Sequence, residues 1–189
     1  MFHNLADSTH ANKKFFTIGT VTNLNEHQKI ESLFQAIKKC LSIIPNIQLV
    51  IVGDGKEKKN LLWLAKKMEI DNLVWLVGKQ QHLRKWIDNF DIYITSDDKL
   101  TLSELIITLN AMAAEKPTIG NANSGLEDII YEGKTGYLVD LNDSEAVADK
   151  ILLLHQDKDL RRTLGKKAFE RVEKYFTSAK MLEQLEKLL

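Results

Sequence analysis

Apolar residues fall into two alternating patterns along this chain. Short, nearly continuous apolar runs occur at Phe15–Val21, Ile47–Gly53, Leu73–Gly78, Ile92–Thr95, Pro117–Gly120 and Tyr137–Val139. The stretches QLVIVG and NLVWLVG lack the polar alternation of a half-exposed strand, so they fit strands covered on both faces. Between the runs, apolar positions recur at helical spacing. Ile30, Leu33, Phe34, Ile37, Cys40, Leu41 and Ile44 mark a first helix. Leu61, Leu62, Leu64, Ala65 and Met68 mark a second, Leu83, Trp86 and Ile87 a third, and Leu102–Ala114 a fourth. After Val139 the strands stop, and three helical patterns follow over Ser144–His155, Asp159–Tyr175 and Ser178–Leu189. This alternation predicts right-handed crossovers and a Rossmann-like α/β domain, a parallel sheet of about six strands between helices, with a helical C-terminus.

One segment places the candidate site. From Asp91 to Gly120 the chain reads DIYITSDDKLTLSELIITLNAMAAEKPTIG. A strand runs to Ser96, a polar loop follows, and a helix opens at Thr101-Leu102-Ser103-Glu104. Thr101 and Glu104 fit a capping box, in which each side chain satisfies a free N–H of the first turn. In an open parallel sheet, ligands sit where strands end and helices begin. The rim formed by Gly19, Ser96 and the amino end of the Leu102 helix is therefore expected to be a concave pocket.

Composition narrows the picture mainly by exclusion. The 189 residues are 44% hydrophobic and 28% charged, an ordinary globular balance large enough for a real core. The 26 basic and 26 acidic residues cancel, which gives no electrostatic case for nucleic acid or an anionic membrane. Residues 1–13 are polar and aperiodic and read as a flexible arm or linker remnant, leaving 14–189 as the domain. The start has no apolar core long enough for a signal peptide, and no run approaches the roughly 20 apolar residues of a membrane span. Cys40 falls on an apolar helix face and reads as a buried, inert thiol. The five histidines are scattered without metal-ligand spacing, so no metal is expected. Gly53-Asp54-Gly55 lacks the third glycine of a dinucleotide fingerprint and reads as a tight turn. Lys56-Glu57-Lys58-Lys59 reads as a solvated helix face, and Trp63, Trp75 and Trp86 as core packers.

The order of landmarks carries a resemblance. Phe16-Thr17-Ile18-Gly19, then LVIVGDG, NLVWLVG, DIYITS, AMAAEKPTIG and EDIIYEGKTGYLVDLND, resembles the C-terminal, nucleotide-sugar-binding domain of GT-B glycosyltransferases of family 4, or group 1. The likeness covers residues 15 to about 180. Its most specific pieces are Ala111-Met112-Ala113-Ala114 before Pro117 and Glu132-Gly133-Lys134-Thr135-Gly136. It implies a nucleotide-diphosphate sugar as substrate, with no other cofactor, held at the carboxyl edge of the sheet. It also implies retaining transfer of a hexosyl group to a polysaccharide or glycoconjugate acceptor, in the cytoplasm. Peripheral attachment at the inner membrane face would come through a missing domain. Acceptor contacts and any catalytic side chain would reside in a partner N-terminal domain, so this chain alone is expected to be inactive.

Carried over by position, the family's binding residues are mostly replaced. The Arg after the first-strand Gly19 is Thr20. The Lys position falls near Gln28, with Lys29 next to it. The Glu, seven residues, Glu motif falls on Leu102 and Asn110, and Ser124-Gly125 stands for the usual glycine pair with Glu127-Asp128 beside it. Two accounts stay open. In one, donor still binds through Gly19, Thr20, Lys29, Lys79, Ser96, Leu102, Ser103, Glu104 and Asn110, with lysines and helix amides reaching the phosphates and Asn110 a ribose hydroxyl. In the other, the domain is a degenerate, non-catalytic interaction module. A flavodoxin-like receiver shares the alternation, but Thr20-Val21-Thr22 lacks the acidic cluster such a receiver carries at the first strand's end.

Overall fold

The structure is a computed structural model that describes residues 14–25, 28–96, 99–177 and 180; of Gln28 and Lys29 it describes the backbone only. The arm expected over residues 1–13 and, apart from Lys180, the helix expected over Ser178–Leu189 lie outside the described residues. In chain order the elements are β1 (Phe16–Val21), α1 (Gln28–Cys40), β2 (Ile47–Val52), α2 (Lys58–Lys67), β3 (Val74–Gly78) and α3 (Leu83–Ile87). There follow β4 (Ile92–Ile94), α4 (Leu102–Met112), β5 (Thr118–Asn121), β6 (Gly136–Val139), α5 (Ser144–Gln156) and α6 (Lys158–Tyr175). The six strands form one sheet in the order β3-β2-β1-β4-β5-β6, and every pairing is parallel. The chain winds one way from β1 to β3, then returns to the other side of β1 at β4. The carboxyl ends of β1 and β4 therefore form a topological switch point, where flanking helices diverge and leave a crevice.

Both faces of the sheet are covered, which explains the unbroken apolar runs. In β2, Leu49 and Ile51 point into one core with Ile18, Ile92, Ile94 and Ile119. Phe34 and Ile37 of α1 and Val147 and Ile151 of α5 close that side. Val50 and Val52 point the other way, into a second core with Val21, Tyr93, Ile87, Phe90 and Ala111. A third cluster of Met112, Leu126, Ile129, Ile130 and Ala168 seats α6. Each fully buried aliphatic side chain contributes about 1.5–3 kcal/mol relative to exposure. Cys40 is buried with its Sγ 3.7 Å from the Ala148 carbonyl. Burial, and then the nearby Asp149, pushes its pKa up to about 12, so the thiol stays protonated and unreactive at neutral pH.

The tryptophans do not share one environment. Trp75 and Trp86 pack against the second core, as expected. Trp63 instead stands 63% exposed on α2, correcting the reading of all three as core residues. The inward face of α2 is taken by Leu61 and Ala65, and Trp63 lies two positions from each, on the outer side. The continuous run Leu61-Leu62-Trp63-Leu64 hides that periodicity in the sequence.

Gly19 is required by close approach. It pairs with Val50 on one side and Tyr93 on the other. A Cβ there would lie 2.0 Å from the ring of Phe90, which is itself only 2% exposed. Gly19→Ala is expected to destabilise the domain by about 1–3 kcal/mol through overpacking. Urea denaturation measures it, and adding Phe90→Leu should return part of the loss; an unchanged midpoint for Gly19→Ala would contradict this packing.

Candidate functional site

At the switch point a buried polar cluster joins three elements. Ser96 lies just beyond β4, and its Oγ donates to the carbonyl of Val21 at the end of β1, at 3.1 Å. The carboxylate of Glu104, in the first turn of α4, lies 3.5 Å from Ser96 Oγ and 3.4 Å from the Tyr93 hydroxyl. Glu104 is 2% exposed and Ser96 4%. The first half of the expected capping box is present: the Glu104 N–H donates to Thr101 Oγ1 at 3.1 Å. The carboxylate's turn into the protein, toward β4, was not foreseen. A buried acid facing two hydroxyls fixes the start of α4 against the ends of β1 and β4.

The two loops beyond β4 and β5 run side by side along this edge. The Leu100 N–H donates to the Ser124 carbonyl at 2.8 Å. Gly125 takes a left-handed φ of 95°, and its N–H donates to Glu127 Oε2 at 2.9 Å. Glu127 thus serves its own loop. The Glu132–Gly136 turn is likewise built by its own residues. Glu132 accepts from the Leu138 N–H on the outer strand β6, and Thr135 Oγ1 accepts from the Tyr131 N–H.

Among the described residues, the part of the expected rim built on Gly19 and Thr20 is filled. On one face Phe90 fills the space over Gly19. On the other, Thr20 is fully buried in a cavity of about 10 Å³ lined by Ile30, Leu33, Ile94, Thr95, Ser96, Leu141 and Val147. That volume holds about one water. Thr20 Oγ1 has no hydrogen-bond partner among the described residues. Gly19 and Thr20 therefore lie within the sheet, covered by side chains of the chain itself, and offer no surface at its rim.

The remaining candidate residues are spread along the edge. Leu102 and Ser103 are exposed at the amino end of α4, Leu102 at 73%. Asn110 Nδ2 donates to the Ile106 carbonyl of its own helix at 2.8 Å. Leu102, Ile106 and Asn110 share one face of α4, whereas the polar Glu104 and Thr108 are buried. Leu105, Leu109, Ala111 and Met112 still pack inward, so the inner face is mixed, and periodicity alone misreads where Leu102, Ile106, Glu104 and Thr108 fall. Lys79 follows β3, two strands and about 10 Å from β1 on the side away from α4. The structure does not bring it to the α4 terminus. The Lys29 side chain lies outside the described residues.

Among the described residues, the α4 end of this edge offers main-chain N–H groups, hydroxyls and the exposed Lys99 on the loop just before the helix. Thr101 caps the Glu104 N–H, and the Leu105 N–H donates to the Thr101 carbonyl at 2.9 Å. The N–H groups of Leu102 and Ser103 stand outside the helix ladder at the positive end of the α4 dipole. The large cleft, about 1020 Å³, lies at the opposite, amino end of the sheet, beside Phe16, Asp91, Lys116, Arg84, His155, Arg161 and Arg162. Several of its cations are committed to the fold. Arg161 donates to the carbonyls of Leu154 and His155, and Arg84 pairs with Asp88 at 2.7 Å. Burial, reinforced by Arg161, lowers the pKa of His155. Among the described residues no His, Cys, Asp and Glu cluster could hold a metal, and no helix is long and apolar enough to cross a membrane.

A parallel sheet in this order, with a helix starting at its switch point, defines a Rossmann-like domain of the kind that pairs into GT-B enzymes. Comparison with known proteins makes the class specific. The family model described as glycosyl transferases group 1 matches residues 2–171, and the chain belongs to that family. It is 31% identical over 166 residues to N-acetyl-alpha-D-glucosaminyl L-malate synthase of Bacillus anthracis, covering 88% of this chain and 43% of that protein. The chain thus spans less than half the length of that relative. The C-terminal domain of the group 1 glycosyl transferase LpcC from Francisella tularensis superposes with a TM-score of 0.77 at 22% identity, over 86% of this chain and 87% of that one. HepE from Anabaena, solved in complex with UDP and glucose, superposes with a TM-score of 0.83 at 20% identity, over 93% of this chain and 48% of that one. The chain corresponds to the C-terminal domain of the GT-B fold.

The cap at Thr101 can be checked directly. Thr101→Ala removes the acceptor for the Glu104 N–H and should cost about 1 kcal/mol. A lowered urea midpoint with unchanged far-UV dichroism is the expected result.

Proposed function

We propose that this domain is the donor half of a two-domain retaining glycosyltransferase, binding a nucleotide-diphosphate sugar along its carboxyl edge. The observation that carries this reading is the amino terminus of α4 at the switch point, with the Leu102 and Ser103 amides outside the helix ladder. Helix N-termini bind phosphate through such amides and the helix dipole. Ser96 and Glu104 would act from below, as positioning residues that hold the terminus against β1 and β4. Thr101 and Ser103 would add hydroxyl contacts, and Asn110 Oδ1 would accept from a ribose hydroxyl while Nδ2 keeps its bond to the Ile106 carbonyl. The relatives support this reading, since HepE was solved with UDP and glucose. The acceptor site and any catalytic side chain would belong to an N-terminal domain, in the same full-length chain or in a separate subunit, and this chain alone would be inactive. The reaction would use the nucleotide sugar as substrate without a resident metal.

A second reading, a non-catalytic interaction module, draws on a different observation. Thr20 is sealed inside the sheet and Leu102 stands exposed, so neither the cation nor the carboxylate of the family motif is replaced in kind. Each missing charge-assisted bond is worth about 1.5–3 kcal/mol, although losses of opposite charge partly compensate.

Calorimetric titration of UDP, UDP-sugars and GDP-sugars separates the two, with the chain alone and with a GT-B N-terminal domain supplied. The donor reading expects saturable heat, weak for the chain alone and stronger with the N-terminal domain. No heat up to millimolar nucleotide in either case would leave the interaction module.

A further inference from the structure

Overall neutrality conceals a local concentration of positive charge on α2. Lys59, Leu62, Trp63, Lys66 and Lys67 follow one another at i, i+3, i+4, i+7 and i+8, which places them on one helix face. All five are exposed, Leu62 at 47% and Trp63 at 63%. Lys67 Nζ lies 5.1 Å from the centre of the Trp63 ring, so its stem runs beside the indole. Lys56 is exposed just before the helix. The nearby acids are fewer than the lysines and partly engaged: Asp54 pairs with Lys58 at 3.3 Å, Glu57 accepts from Asn60 at 2.7 Å, and Glu69 and Asp71 are exposed just past the helix.

We propose that this face of α2 rests on an anionic membrane surface, independently of whether the carboxyl edge binds donor. Indole rings settle at the headgroup level of a bilayer, where an apolar body and an N–H are both accommodated. Lysines around an apolar centre attract anionic lipid while their stems lie along the acyl boundary. A protein partner fits less well, because protein interface cores are depleted in Lys. An acidic polymer would use the lysines but would gain little from Leu62. Because α2 runs antiparallel to the strands, this contact holds the sheet along the bilayer and leaves the carboxyl edge facing sideways.

Co-sedimentation of the 189-residue chain with vesicles tests the proposal. Binding is expected to phosphatidylcholine vesicles containing about 30 mol % phosphatidylglycerol and to be far weaker to phosphatidylcholine alone. Lys59→Glu, Lys66→Glu and Lys67→Glu together should weaken it at least about tenfold, as should added salt. Trp63→Ser should weaken it as well, with unchanged far-UV dichroism. Brominated acyl chains should quench tryptophan emission in the wild type and not in Trp63→Phe. A wild-type chain that stays in the supernatant with anionic vesicles overturns the proposal. So does quenching that survives in Trp63→Phe. Tighter binding to heparin than to vesicles, indifferent to Trp63→Ser, would identify an acidic-polymer site and contradict it.

Discussion

The absence of a side chain at Gly19 is the constraint on which the rest of this structure depends. Phe90, at the turn before β4, packs its ring into the space a Cβ would occupy. That contact lets β4 lie beside β1, with Gly19 opposite Tyr93. The adjacency of β1 and β4 creates the switch point, the divergence of the helices, and the place where α4 begins. The Ser96, Val21 and Glu104 cluster then locks that beginning from beneath. The same ring also closes the strand to ligand. What holds the edge together leaves only its outer lip, the loops and the α4 terminus, for binding.

Much of the fold was legible because burial on both faces writes itself plainly. Ile47–Val52 cannot be anything but a central strand when Leu49 and Ile51 face one core and Val50 and Val52 the other. Helices α1 and α5 were legible from apolar spacing. The failures share a physical cause. Trp63 sits in a run of four apolar residues, where no polar neighbour marks which side faces out. Helix α4 places Leu102 and Ile106 outward and Glu104 and Thr108 inward among Leu105, Leu109, Ala111 and Met112, and only the Glu104 carboxylate has its inward place explained, by the Tyr93 and Ser96 hydroxyls. Glu104 could be recognised as part of a cap from local spacing, but its contacts with Tyr93 and Ser96 depend on tertiary position. Thr20 came to the donor site only through the family pattern, as the residue after Gly19, whereas Ile30, Leu33 and Val147 reach over it.

Net charge misled for a related reason. A sum of zero says nothing about how lysines are arranged, and on α2 three of them share a face with Leu62 and Trp63. The arginines show the opposite arrangement. Arg161 and Arg171 spend their hydrogen bonds on backbone carbonyls near α6, Arg171 on those of Asp128 and Ile129. Arg84 is tied to Asp88 and the Ala113 carbonyl. Much of the guanidinium chemistry that could grip phosphate is committed to holding the fold. A donor site at the α4 terminus would therefore lean on backbone dipoles, on the neighbouring Lys99 and on whatever the other half of the enzyme supplies.

On the proposed function, nucleotide diphosphate meets this domain at the start of α4. Amide chemical shifts of the isotopically labelled chain, followed during titration with UDP, report that position residue by residue. The largest movements are expected at Leu102 and Ser103, with smaller ones at Ser96 and Gly125 and none around Arg161 and Arg162. Shifts confined to the amino-end cleft, with Leu102 and Ser103 unmoved, would contradict it.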